Sequence, residues 1–190
     1  MDIISEIEKR RAFRSMSGEA LDEEVVERML RAATLAPSCF NSQPWRIFAV
    51  MGERLPVLRE ALSANNKWAT AAPLIVVMAT KPSLDCRLDG GRDYAFCGLG
   101  LAAMNLMLQA TREGLYAHPI AGFSPAKAAK AIDLPEDFVP LTLIIVGRPG
   151  SSELLSESQL EREHSGRERK ALGEVAFRDS WGSPWGAQGG

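Results

Sequence analysis

Apolar positions recur along this chain with two different spacings. Val25, Val26, Met29, Leu30 and Ala33 fall three and four residues apart, the stripe of an amphipathic helix. Asp22 is the N-cap candidate, Glu23 and Glu24 sit favourably in the first turn, and Pro37 sets the far limit. Continuous apolar runs at 47–50, 74–78 and 141–146 predict strands, the last two central and buried. Residues 94–113 carry the longest helical pattern, with the small residues Ala95, Gly98, Ala102 and Ala103 among leucines and methionines. A helix apolar on most sides must be covered on most sides, within the domain or by a second subunit. Gly114 follows as a C-cap, then a short strand at 115–120 and a helix at 125–132 opened by Ser124 and Pro125. Two more short helices are expected: 2–10, with Ile3, Ile4 and Ile7 on one face, and 55–62, with Pro56 in its first turn. Residues 81–92 read as a polar loop and 150–166 as a polar, charged stretch. Buried strands interleaved with helices predict a sheet covered on both faces.

Composition narrows the classes. With 190 residues, 46% apolar and 24% charged, the chain is long enough for one substantial core and short for two. A net charge of −2 gives no reason to expect nucleic acid or an anionic membrane as partner, so any anion must be gripped by a local basic cluster. Three cysteines, without a Cys-x-x-Cys, and two histidines argue against a zinc site or a disulfide framework and for a reducing, cytoplasmic setting. The charged N-terminus lacks a signal-peptide pattern, and no run approaches the ~18 apolar residues of a membrane span.

The candidate chemistry centres on Ala36-Pro37-Ser38-Cys39-Phe40-Asn41-Ser42-Gln43-Pro44-Trp45. Two prolines stop helix and sheet alike, and short polar side chains sit in the apolar company of Cys39, Phe40 and Trp45. That composition suits either an ordinary buried turn or a pocket wall for a flat, heteroatom-rich ligand. Arg10, Arg11 and Arg14, and separately Arg167 and Arg169, are either solvated charge or a phosphate grip. Gly98-Leu99-Gly100-Leu101-Ala102-Ala103 has the letters of a dinucleotide fingerprint but lies inside a helical stripe without a preceding strand, so it reads as helix packing. Cys39 has no base beside it in sequence, and His118 before Pro119 is a general acid or a structural residue. No nucleophilic or metal machinery is visible, which leaves the chemistry to a cofactor.

Taken in order, several segments resemble one family, the FMN-dependent nitroreductases and flavin reductases. They are Arg10-Arg11-Ala12-Phe13-Arg14, the 36–45 segment, Asn65-Asn66-Lys67-Trp68 ahead of Ala72-Pro73, Gly114-Leu115, Pro119-Ile120-Ala121-Gly122-Phe123 and Arg167-Glu168-Arg169. The resemblance implies an α+β fold: a three-layer α/β/α sandwich on a mixed, largely antiparallel sheet, in an intertwined homodimer. One domain would span 1–182, with 183–190 a Gly-rich tail. It implies FMN at the subunit interface. Arg10, Arg167 and Arg169 would hold its phosphate, with Arg11 and Ala12 in the same segment, and Arg14 and Asn65 would sit by the pyrimidine edge. Pro37, Ser38, Cys39 and Asn41 would reach over from the other subunit. Pro119, Ile120, Ala121 and Gly122 would lie along the ring, a backbone N–H near Ala121 facing flavin N5, where the chemistry takes place. NADH or NADPH would be the co-substrate, and a nitroaromatic, quinone or related small molecule the acceptor, in a ping-pong cycle. Ala121 stands where better-known members carry glutamate, and 81–92 is shorter than the insertion that covers the site in longer relatives. That leaves open other flavin chemistry, such as reductive dehalogenation or flavin breakdown, and a non-catalytic flavin-binding homodimer.

Overall fold

The computed structural model describes residues 2–186; the last part of the expected tail, 187–190, lies outside them. Four strands form one sheet: β1 (Arg46–Val50), β2 (Leu74–Thr80), β5 (Tyr116–Ile120) and β6 (Val139–Gly147), in the order β1-β2-β6-β5. All three pairings are antiparallel. The parallel component expected of a mixed sheet is therefore not found among the described residues. In register, Leu74 faces Val146, Val76 faces Ile144 and Val77 faces Leu143, while Ile120 pairs with Leu143 from the other side.

The two central strands read as unbroken apolar runs because both faces of the sheet are covered. Side chains alternate along a strand. Leu74, Val76, Met78, Ile144 and Val146 therefore join one core cluster, and Ile75, Val77, Leu143 and Ile145 the other. The first cluster is completed by α2 (Glu23–Thr34) and α4 (Tyr94–Arg112). The second is completed by α3 (Leu55–Arg59), the 3-10 segment Ala64–Ala71 and α5 (Pro125–Ala131). The result is the expected three layers, helices on both sides of a sheet.

By length and composition alone α4 could cross a membrane. Its small and large apolar residues instead pack in the core: Ala95, Gly98, Leu99, Ala102, Ala103, Leu106, Met107 and Ala110 are buried. Gly98 lies against the Pro44 ring, where a Cβ would come within 3.1 Å. The glycine-rich letters thus serve helix packing.

Three expectations need correction. The N-terminal helix is shorter, α1 (Ser5–Lys9), and buries nothing; Ile3, Ile4 and Ile7 are exposed. The 81–92 stretch is not wholly loop. It holds a 3-10 turn and a small hairpin, β3 (Arg87–Leu88) with β4 (Arg92–Asp93), turning through Gly90 and Gly91 at φ +74° and +72°. The 150–166 stretch contains a helix, α6 (Glu157–His164), started by a capping box in which Ser156 and Gln159 exchange hydrogen bonds. A further short turn, α7 (Leu172–Val175), follows the second arginine cluster.

Candidate functional site

Residues 10–14 leave α1 in extended form and are clamped from two sides. On one side Ser17 N donates to Arg148 O and Gly150 N to Ser15 O, both at 2.9 Å. Gly150 must be glycine here, since a Cβ would overlap the Met16–Ser17 backbone. On the other side stands the buried Glu163 of α6. Its carboxylate accepts from Arg14 N at 3.1 and 2.9 Å and from Ser15 N at 2.9 Å. A buried carboxylate is tolerable when backbone N–H groups satisfy it in this way.

This clamp opens a cleft of about 290 Å³ between residues 10–14 and 162–169. Six arginines line it: Arg10, Arg11, Arg14, Arg162, Arg167 and Arg169. Arg167 donates to Ile7 O and Arg10 O at 3.2 and 3.0 Å, Arg11 to Ser165 O at 2.7 Å, and Arg169 to Glu168 O at 2.7 Å. Among the described residues none of the six forms an ion pair. Burial lowers the Arg10 pKa, and the positive charges of Arg167 and Arg169 lower it further. Arg14 is lowered too, by burial, against the opposing pull of Glu163. Six arginines against two carboxylates, Glu163 and Glu168, leave the cleft with an excess of positive charge that favours an anion, and a phosphate fits the guanidinium donors. The two clusters, more than 150 residues apart in sequence, meet here.

From the cleft a contact path runs across the sheet edge. The Arg14 guanidinium lies 5.9 Å from the Trp68 ring centroid. Trp68 Nε1 donates to Asn66 Oδ1 at 3.2 Å, and Asn66 Nδ2 donates to Gly122 O at 2.8 Å. Gly122 is needed at this point, because a Cβ would come within 2.7 Å of Asn66 Nδ2. Asn65, the residue singled out from sequence, contributes its carbonyl to Gln159 Nε2 at 2.8 Å and leaves its side chain exposed. Asn66 holds Gly122, just beyond the end of β5. In the 119–122 stretch Ile120 is buried, while Pro119, Ala121 and Gly122 are exposed.

His118 resolves to its structural reading. Its Nδ1 lies 3.1 Å from Phe13 O and its ring centroid 4.7 Å from that of Trp68. Burial, above all, pushes its pKa down to about 4.

The 36–45 segment lines none of this cleft. Pro37, Ser38, Cys39 and Asn41 sit at the far end of β1, where buried Thr80 donates to Pro44 O at 2.7 Å. Phe40, Asn41 and Gln43 all take positive φ, 49°, 56° and 48°, which is strained for residues other than glycine. Phe40 is 95% exposed, so it forms no pocket wall within the chain; Trp45 is buried. Cys39 is joined to Cys86 in a disulfide, correcting the expectation of unpaired thiols and removing Cys39 as a nucleophile in this state. Cys97 is free and exposed.

Sequence reasoning passed over Glu163, Arg162 and Cys86. The Ser156-x-x-Gln159 cap was the signal for α6 and, through it, for Glu163. Nothing local signalled a Cys39–Cys86 pair 47 residues apart.

Known proteins resemble this chain in sequence and fold. A profile described as the Nitroreductase family matches residues 7–64 and 52–148. An uncharacterized 15.4 kDa protein of Mycolicibacterium smegmatis is 33% identical over 132 residues, 70% of this chain and 87% of that one. A 5,6-dimethylbenzimidazole synthase of Rhodospirillum rubrum is 29% identical over 180 residues, 80% of this chain and 83% of its own. A solved structure of an oxidoreductase containing FMN superposes with TM-score 0.85 at 25% identity, covering 96% of this chain and 94% of that one. With profile, relatives and fold agreeing over most of its length, the chain belongs to the Nitroreductase family of oxidoreductases.

Proposed function

We propose that this protein is an FMN-dependent oxidoreductase that takes hydride from NADH or NADPH and passes it to a nitroaromatic, quinone or related small acceptor. The observation that carries the reading is the convergence of Arg10, Arg167 and Arg169 on one cleft, none of them in an ion pair among the described residues. These residues would hold the FMN phosphate, supported by Arg11 and Ala12. Arg14 and Asn65 would lie at the pyrimidine edge of the ring, and Pro119, Ile120, Ala121 and Gly122 along it, of which all but Ile120 are exposed. When bound, FMN would supply the hydride chemistry. A guanidinium at the pyrimidine edge favours the charge that reduction places there. Glu163 keeps that guanidinium's backbone in place by accepting from Arg14 N and Ser15 N, and its one negative charge leaves the six-arginine cleft positive.

Pro37, Ser38, Cys39 and Asn41 would complete the site of a partner subunit, in a homodimer. Their absence from the lining of their own cleft supports this, as does the exposed apolar surface at Leu35, Phe40, Leu101 and Trp181.

Adding FMN to the purified protein, removing free flavin and recording the visible spectrum before and after anaerobic NADPH tests the reading. Retained flavin that bleaches supports it, and a protein that retains none sinks it. A second reading, oxygen-dependent breakdown of reduced flavin, is favoured by the synthase relative and by the short 81–92 cover. Aerobic incubation with reduced FMN separates the two. Stoichiometric disappearance of the flavin marks breakdown, and catalytic turnover with intact flavin marks transfer.

A further inference from the structure

We propose that Cys39–Cys86 is a thiol-exchangeable bond, opened by dithiol or glutathione reductants, with Asp85 as the hydrogen-bond acceptor of its reduced form, and that it locks the strained 38–43 turn. The bond joins the 36–45 segment to the stretch that follows β2, beside the Thr80 to Pro44 O hydrogen bond. Both cysteines are half-buried, within reach of a small thiol. On one side lies the turn with three left-handed non-glycine residues. On the other lies the short β3–β4 hairpin, whose one salt bridge, Arg87 to Asp93, is a loose 3.5 Å contact. A turn held against its own backbone preferences relaxes when its tether is cut.

Asp85 is what distinguishes this pair from a passive staple. One carboxylate oxygen accepts from Cys86 N at 2.8 Å and so fixes the side chain. The other, Oδ2, is buried without any hydrogen-bond partner. A carboxylate oxygen and both sulfurs lie within 4.8 Å of one another. The neighbouring Gly98 and the Pro44 ring complete the packing around this oxygen, and neither brings it a donor. A buried acceptor without a donor is costly, and an S–H supplied beside it relieves that cost.

Reduction balances as ordinary thiol exchange. A reductant thiolate attacks the Cys86 sulfur, the S–S bond breaks, and Cys39 leaves as thiolate and takes a proton. The reductant's second thiol then displaces Cys86 from the mixed disulfide. Two electrons and two protons end on Cys39 and Cys86, and the reductant ends as its own disulfide. The new S–H donates to Asp85 Oδ2. Oxidation by a disulfide reverses every step.

The test uses the full chain without added flavin, so that its outcome is independent of the FMN reading. The folded protein is equilibrated in dithiothreitol or glutathione buffers, its thiols are counted by alkylation, and hydrogen exchange is followed by mass spectrometry. One alkylatable thiol, Cys97, is expected in the oxidised protein and all three in the reduced. Exchange at Asn41, Ser42 and Gln43, whose N–H groups bond within the turn, is expected to rise about tenfold on reduction while β2 and β6 stay protected. Asp85→Asn should make the bond about tenfold harder to reduce at equilibrium. Cys86→Ser, which leaves the turn's own sequence intact, should show the exchange of the reduced protein and keeps the test valid if the Asp85 variant does not fold. A bond that yields only on global unfolding, unchanged exchange in the turn, or an Asp85→Asn equilibrium equal to the parent's would each overturn the proposal. So would uptake of one Zn²⁺ per chain by the reduced protein with protection of two thiols, which would make the cluster a metal site.

Discussion

At the scale of single residues, Arg10 and His118 are opposite uses of burial. Arg10 is half-buried among like charges, so without an anion its guanidinium is disfavoured where it stands. Arg10→Ala should leave the flavin-free protein within about 0.5 kcal/mol of the parent, because the variant also removes repulsion. It should weaken FMN about 10- to 100-fold, the worth of charge-assisted phosphate contacts. Denaturant melts and flavin fluorescence titration measure the two quantities, and equal losses in both would count against a phosphate role. His118 is buried neutral, with a folded pKa of about 4 against an ordinary value of 6.5. Above pH 6.5 it is uncharged in both states. Between 6.5 and 4 the unfolded chain takes up a proton that the folded chain refuses, so stability falls as pH falls, by roughly 3 kcal/mol across the window. Below 4 both states are protonated and the loss stops growing. The depressed carboxylate Glu113, at about 2 against an ordinary 4.5, loses its contribution only as pH falls from 4.5 to 2, below the His118 comparison, and its partner Arg28 is half exposed. Unfolding midpoints at pH 7 and pH 5 should therefore differ in the parent and converge in His118→Asn; an equal slope in the two would assign the effect elsewhere.

At the scale of elements, α6 decides whether the cleft exists. It presents Glu163 to the 14–15 backbone and Gln159 to Asn65, so its position sets two parts of the site together. Only Glu163 of its eight residues is buried, which leaves the capping box to define where it starts. Ser156→Ala should cost about 1 kcal/mol of local stability. Hydrogen exchange at Arg14 and Ser15 should quicken with it, while the sheet is untouched. Unchanged exchange there would mean that α6 is held by something other than its cap. The same facts explain what could be read from sequence. Helices α2 and α4 and strands β2 and β6 bury continuous faces, so their apolar spacing announces them. A helix whose single buried side chain is a carboxylate has no stripe to read. The arginine segments were visible as charge, and their meeting in one cleft was implied only through family likeness. That Asn66 is the residue bonded to Gly122 goes with a kink in the 3-10 segment, φ −111° and ψ 22° at Asn66, which no pattern encodes.

At the scale of the whole molecule, one chain supplies the phosphate end of the proposed site and carries the 37–41 turn away from it. A turn that holds Phe40 95% exposed on a strained backbone gains nothing for its own core. The simplest physical use of such a residue is burial against another copy of the chain, where its ring area would contribute roughly 2 kcal/mol or more. Phe40→Glu places a charge at that contact without disturbing either core cluster, since Phe40 belongs to neither. The variant should fold with the parent's circular dichroism, sediment as a monomer at concentrations where the parent is a dimer, and lose FMN retention although every arginine of the cleft is intact. Flavin loss that appears only on dissociation would tie the site to two chains. A monomeric variant that retains FMN as tightly as the parent would show that the cleft suffices alone and that the turn serves another purpose.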